Sequence, residues 1–356
     1  MAAETVIKKP LEQVLQGQAL TRDDILQLLS LEDPGDMEQL FRAARQVRQQ
    51  HFGRRVFMYG FVYFSNHCHN DCHFCYARKS NTIRRYRKSH GEVIEIAEKL
   101  ASSGVHLIDL TMGEDEAYLE GEALLNLAVD VKNATGLPVM ASPGVLSHQQ
   151  IDRLAERQVE WFALYQETHN RQLYSRLRSQ QDYDRRMKAK THARDAGMLI
   201  EEGLLVGVGE SLADLADSIL AMKAMGASQV RAMSFVPQKG TPLETLEEPA
   251  RIRELKTMAV MRLVMPEALI PASLDVDGIG GLKDRLAAGA NVVTSIIPPL
   301  EGIGGVAQET RDVDDGLRSA EQVRALLEDV GLQAATQADY QAYLAKKQPG
   351  IRRRGA

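Results

Sequence analysis

The sequence predicts an α/β chain folded as one (βα)8 barrel of the TIM type, with a helical extension before it and a helical cap behind. Three observations carry that expectation. Eight short apolar runs of strand character recur along the chain, amphipathic helical stretches separate them, and polar residues collect just past the runs. The runs lie at 56–64, 105–110, 137–141, 160–165, 198–205, 228–235, 268–274 and 290–295. An open doubly wound sheet is the alternative topology. In a barrel, side chains that do chemistry sit at the C-terminal strand ends and in the loops that follow, so each end can be inspected in turn.

Residues 1–50 form the extension, where "TRDDILQLLS" sets Thr21 as a cap before an amphipathic stretch. Residues 51–330 hold the barrel. Its helices include "GEVIEIAEKLASSG", "HQQIDRLAERQ", "SLADLADSILAMKAMG" and "PARIRELKTMAVMRLVM", several of which end at the glycine that favours a helix C-terminus. Residues 331–356 are the cap and tail, with "ATQADYQAYLAKK" as the helix. The first strand runs into a cysteine-rich loop, the second ends in "IDLTMGED", the third in "ASPG" and the fourth in "YQETHN". The fifth enters "LLVGVGE", the sixth holds Arg231 and Ser234, the seventh ends in "ASLDVDG", and "SIIPPLEGIGG" follows the eighth.

With 356 residues, 44% hydrophobic and 26% charged, core size does not limit folding, and the composition is that of a soluble globular protein. A net charge of -5 argues against a nucleic-acid partner. No apolar run approaches the ~20 residues of a membrane-spanning helix, so no membrane association is expected. The start, "MAAETVIKKPLEQVL", lacks a signal-peptide pattern. The expected location is the cytoplasm and the expected state a monomer.

All three cysteines fall within eight residues, Cys68-His69-Asn70-Asp71-Cys72-His73-Phe74-Cys75. A reducing compartment disfavours a disulfide, and three clustered thiols are an odd count for a disulfide framework. Structural zinc usually joins two separated ligand pairs; here His67, His69 or His73 would have to supply a fourth ligand. Three thiolates suit a [4Fe-4S] cluster, leaving one iron open to a small molecule. The spacing C-x3-C-x2-C, with Phe74 before the last cysteine and a strand before the loop, resembles the signature of the radical S-adenosylmethionine (SAM) superfamily. That resemblance implies a complete or partial βα barrel, Cys68, Cys72 and Cys75 as metal ligands, and SAM on the open iron. It also implies an external one-electron donor and a 5′-deoxyadenosyl radical. The histidines then become polar bystanders.

The same resemblance assigns cofactor-binding residues. Phe74 belongs to the signature loop. Gly113 and Glu114, in "Met112-Gly113-Glu114-Asp115", match a "GGE"-type segment that binds the SAM ammonium, although Met112 replaces its first glycine. Glu167 resembles an acidic residue of the biotin-synthase-like branch, and Arg178 matches a guanidinium that meets the SAM carboxylate, with Arg176, Arg185 and Arg186 as competitors. Ser142 suits a ribose hydroxyl. Gly207, in "GVGE", either lets the backbone approach an adenine or makes a tight turn.

The remaining strand ends carry opposite charges: Asp109 on the second strand, Arg231 and Ser234 on the sixth, and Ser273, Asp275 and Asp277 near the seventh. An inward Arg231 suits a carboxylate, Ser273 and Asp275 an α-ammonium, and Asp109 a distal ammonium, as in a diamino acid; an internal ion-pair network is the alternative. The segments "FVYFSNHCHNDCHFCYARKSNTIRRYRK", "SGVHLIDLTMGED" and "ASLDVDGIGGLKDRLAAGANVVTSIIPP" resemble the lysine-mutase branch of the superfamily, which opens pyrrolysine biosynthesis. This implies L-lysine as substrate and Asp109, Arg231, Ser273 and Asp275 as its ligands, with Asp109 also counted as catalytic. The implied reaction removes hydrogen from C4, breaks C2–C3 into a glycyl radical and 4-amino-1-butene, and rejoins the fragments as (3R)-3-methyl-D-ornithine. A biotin-synthase-like or hydrogenase-maturation-like enzyme acting on another small amino acid is the alternative. Sulfur insertion by the biotin-synthase branch would need further cysteines, and none follows Cys75.

Overall fold

The computed structural model describes residues 2–304 and 318–348, with side chains from residue 9 onward. Eight strands form one parallel sheet: β1 Arg55–Ser65, β2 Leu107–Met112, β3 Val139–Ser142, β4 Trp161–Ala163, β5 Leu199–Val206, β6 Gln229–Ser234, β7 Pro271–Ser273 and β8 Val292–Ile296. Their order, β6-β5-β4-β3-β2-β1-β8-β7, leaves β6 and β7 at its two ends. A parallel bridge between Gln229 and Leu269 joins those ends, the Val230 N–H donating to the Leu269 carbonyl at 2.9 Å and the Leu269 N–H to Ser228 at 2.9 Å. The sheet is therefore a barrel, not an open wound sheet. Every apolar run became a strand. The fourth and seventh are shorter than their runs, because the chain leaves the ladder to build loops.

Register fixes which side chains face inward. Phe61 lies opposite Asp109, Thr111 opposite Ser142, Ala163 opposite Glu201, and Gly203 opposite Arg231. By the two-residue period of a strand, Phe61 and Tyr63, Asp109 and Thr111, and Glu201 and Gly203 share the interior. Gly203 has a steric reason: a Cβ there would stand 2.9 Å from the Tyr165 ring. Glu202 points outward and pairs with Lys190 of the helix Tyr183–Asp195, both fully buried. The Glu202 carboxylate accepts the Gln166 N–H at 2.6 Å and the Gly203 N–H at 2.9 Å, standing in for ladder bonds where β4 has ended. Arg186, one turn before Lys190, donates to the Tyr165 carbonyl at 2.8 Å. This helix thus pins the loop after β4.

The opposite end is closed by aromatic packing. Gln333–Ala334 pairs with the start of β1, and the helix Gln337–Lys347 brings Tyr340 under the barrel. The Tyr340 and Tyr59 hydroxyls lie 2.9 Å apart and both rings are fully buried. The helices Arg22–Leu29, capped by Thr21, and Pro34–Phe52, capped by Asp33, pack with Arg251–Val264 outside the barrel. Among the described residues, no helix is long and apolar enough to cross a membrane.

Candidate active site

The chain turns sharply after Ser65, at the end of β1, and the cysteine loop follows. Cys72 is buried and Cys68 and Cys75 half-buried. Burial pushes the Cys75 thiol well up, and the neighbouring Cys72 and Cys68 add to the shift; burial also raises Cys68. Gln181 Nε2 lies 3.0 Å and Arg178 Nη1 3.4 Å from Cys72 Sγ, so N–H donors already face a sulfur. Among the described residues, no three His, Cys, Asp or Glu side chains are grouped as around a single metal ion. Three thiols on one loop are a ligand set that suits an iron-sulfur cluster.

The loops after β2 and β4 close on this one. Gly113 donates its N–H to Ser65 at 2.9 Å, and a Cβ on it would collide with the His67 carbonyl, so only glycine fits beside the cysteine loop. Glu114 is enclosed by His69 at 3.4 Å and Arg186 at 3.2 Å. Burial alone would raise its carboxyl; the His69 hydrogen bond and the Arg186 charge outweigh that and hold it at about 2. His69 is thus engaged with a carboxylate, while burial lowers His67 and His73. Glu167 takes a left-handed φ of 67°, a strained choice for this residue, and receives Arg178 Nη2 at 2.6 Å. The Arg178 guanidinium also stands 5.2 Å from the Phe74 ring centre. Among the four candidate arginines, Arg178 and Arg186 face the loops, whereas Arg176 and Arg185 are exposed. Buried carboxylates beside buried guanidiniums form a donor set that fits an amino-acid zwitterion such as the methionine part of SAM. Gly207 shows the tight turn: its φ is 95° and its N–H, with that of Val208, is taken by the Glu210 carboxylate at 2.9 Å and 2.8 Å.

Deeper in the barrel sits a charged layer. Asp109 Oδ1 accepts the Ser142 hydroxyl at 2.7 Å and the Thr111 hydroxyl at 2.9 Å, while Oδ2 is buried with no hydrogen-bond partner. Ser142 therefore faces Asp109 from the next strand. Burial, and then the Glu201 charge, raise the Asp109 carboxyl to about 7 against the pull of Ser142, Thr111 and Arg231. Arg231 donates from Nε to Glu201 Oε1 at 2.8 Å and from Nη1 to Thr294 at 3.1 Å, with its guanidinium 5.5 Å from the Tyr165 ring centre. Its Nη2 is close to the same Glu201 oxygen, at 2.8 Å, but is not aligned for a hydrogen bond, and Glu201 Oε2 has no donor. A cavity of about 80 Å³ links Phe74, Glu167 and Tyr165 to Arg231 and Ser234.

Across the barrel, Asp275 Oδ2 accepts Tyr63 at 2.8 Å, Ser295 at 2.7 Å and Ser273 at 3.3 Å, and Oδ1 meets Arg318 at 2.7 Å. Burial would raise this carboxyl; Arg318, Ser295 and Tyr63 together lower it. Ser234 turns its hydroxyl to Glu254 at 2.6 Å, within a buried pair with Arg285, and Asp277 pairs with Arg251 at the rim. Sequence reasoning missed Glu201, Thr111, Thr294, Tyr63, Ser295 and Arg318. The doublet "EE" inside the apolar fifth run marks a buried carboxylate there, though not which of the two faces in. Arg318 carried none, since it meets Asp275 only through the fold.

A parallel barrel whose first strand end presents three thiols on one short loop, flanked by buried carboxylate and guanidinium groups, defines a radical SAM enzyme. The radical SAM superfamily profile matches residues 62–222. The 3-methylornithine synthase of Methanosarcina acetivorans is 43% identical over 334 residues, covering 94% of this chain and 95% of that protein. The FeFe-hydrogenase maturase subunit HydE of Thermotoga maritima is 29% identical over 283 residues, 78% of this chain and 81% of that one. A crystal structure of methylornithine synthase superposes with a TM-score of 0.90 at 42% identity, covering 94% of this chain and 99% of that one. The maturase HydG, at 19% identity and TM-score 0.82, covers 97% of this chain and 81% of that one and shares the fold. The chain belongs to the 3-methylornithine synthase family of radical SAM enzymes, which use a [4Fe-4S] cluster and SAM.

Proposed function

We propose that the chain converts L-lysine into (3R)-3-methyl-D-ornithine, the first step of pyrrolysine biosynthesis. The carrying observation is the buried, unpartnered Oδ2 of Asp109 beside Arg231, an acceptor and a cation in the interior of a barrel whose mouth carries the cysteine loop. Bound at Cys68, Cys72 and Cys75, the cluster with SAM supplies the radical that starts the chemistry. Glu114, Glu167, Arg178 and Arg186 hold the charged end of SAM. Arg231 takes the lysine carboxylate, Ser273 and Asp275 the α-ammonium, and Asp109 the distal ammonium. Both fragments of a broken C2–C3 bond must stay in place to rejoin, and a charged anchor at each end of lysine serves that need. The walls of Phe61, Tyr63 and Tyr165 exclude water around them.

The test is anaerobic incubation of cluster-loaded protein with SAM, a one-electron reductant and labelled lysine. Lysine and methylornithine are isomers, so chromatography or NMR reads the outcome. A new methyl-bearing diamino acid is expected. Unchanged lysine, with 5′-deoxyadenosine formed only on another small amino acid, would transfer the chain to the maturase-like alternative.

A further inference from the structure

Asp109, Glu201 and Arg231 share one layer of the barrel interior, and their contacts do not close among themselves. Arg231 is bonded through Nε to Glu201 and through Nη1 to Thr294. Glu201 Oε2 and Asp109 Oδ2 are both buried, and neither accepts a hydrogen bond. Glu201 and Asp109 are both fully buried at inward-facing strand positions, and the Glu201 charge helps raise the Asp109 carboxyl. With both carboxylates ionised, one guanidinium leaves one negative charge in excess. Leaving two buried carboxylate oxygens without donors is costly, because each has given up its hydration for nothing in return. One ammonium placed between them would supply donors to both and cancel the excess. Tyr165, whose ring stacks near Arg231 and whose hydroxyl lies beside Glu201, brings no charge to do so.

We propose that Glu201 is a second acceptor for the substrate's distal ammonium, shared with Asp109, and that it makes the site select diamino acids over their neutral-chain analogues. The inference rests on the lysine reading above. It differs from the plainer role in which Glu201 only steadies Arg231. Steadying Arg231 helps every ligand with an α-carboxylate; accepting the distal ammonium helps only ligands that carry one.

The experiment uses cluster-loaded, SAM-bound enzyme before reduction and measures equilibrium binding of L-lysine and of L-norleucine, which keeps the chain length and lacks the distal ammonium. For Glu201→Gln, lysine affinity is expected to fall about 10- to 100-fold, with norleucine affinity within about twofold of the parent. Iron content and SAM binding report that the fold is intact. Equal weakening of both ligands would overturn the proposal in favour of the steadying role, and so would undiminished lysine affinity. If Glu201→Gln loses the cluster, Glu201→Asp takes its place: it keeps the charge on a shorter arm, so lysine alone should weaken, and parallel loss of both ligands overturns the idea. Failure of the parent enzyme to bind lysine at all would remove the substrate reading itself and the proposal with it, a result distinct from any contrast between variants.

Discussion

Asp109→Asn should make the lysine-free enzyme more stable at neutral and higher pH while crippling lysine turnover. The carboxyl of Asp109 rises from the ordinary 3.8 to about 7, chiefly through burial and then through Glu201. At about 1.4 kcal/mol per pKa unit, holding it ionised in the free site costs roughly 4 kcal/mol. The sign follows from its raised pKa. Below 3.8 the folded and unfolded chains are both protonated there; between 3.8 and about 7 only the unfolded chain loses the proton, so parent stability falls as pH rises. Asparagine keeps the acceptor that Ser142 and Thr111 use and has no charge to bury. The variant's advantage should therefore grow from about pH 4 and level off above pH 7 or so, which thermal scans of both proteins at a series of pH values would read. In turnover, a buried ammonium loses its charged partner, a deficit of about 3–5 kcal/mol, or roughly 10²–10⁴ in kcat/KM. SAM binding should be spared. A stability gap that stays flat with pH, or equal loss of SAM binding and lysine turnover, would refute the placement of Asp109 as a buried substrate acceptor outside the SAM site.

Two further variants probe the mouth of the barrel. Gly113→Ala drives a Cβ onto the His67 carbonyl, so the cysteine loop must shift and iron should drop below the expected four or so per chain; full iron would show that the loop yields. Arg178→Lys keeps a charge but not a fork that reaches Glu167 and Cys72 together, so SAM affinity should weaken about tenfold at unchanged iron content, measured by equilibrium dialysis; loss of iron instead would make Arg178 a clamp on the loop.

The eight strands were legible because each is a short apolar run bounded by polar turns, and the barrel's parallel order follows once helices alternate with them. Strand ends were less so. The run 160–165 keeps only Trp161–Ala163 in the ladder, because Glu202 and Arg186 capture the backbone that follows, and no local pattern announces that exchange. Helices such as Ala123–Thr135 and Tyr183–Asp195 also escaped the reading; the second has few apolar residues, its buried face being made of Arg186, Lys190 and small alanines. In the site, Asp109 and Arg231 stood out as charges inside apolar strands, and Asp275 as one just past a strand end. Glu201 did not, since a pair of glutamates side by side does not say which one faces in. Tyr63, Ser295 and Arg318 converge on Asp275 from distant segments, so only the folded chain connects them. Ser234 shows the reverse case: a strand-end hydroxyl that looked free for a ligand is bonded to Glu254.

The consecutive glutamates of β5 also bear on how the strand finds its place. A slip of one residue normally turns apolar groups out and polar groups in, and is rejected for that reason. Here a slip would still leave one carboxylate on each face of the strand, so charge is a poor guard of alignment. Gly203 supplies what charge does not: after such a slip the position beneath Tyr165 would hold Glu202 or Leu204, and the ring already stands 2.9 Å from where a Cβ would be. An absent side chain, rather than any present one, is what keeps Glu201 and Glu202 on their proper faces.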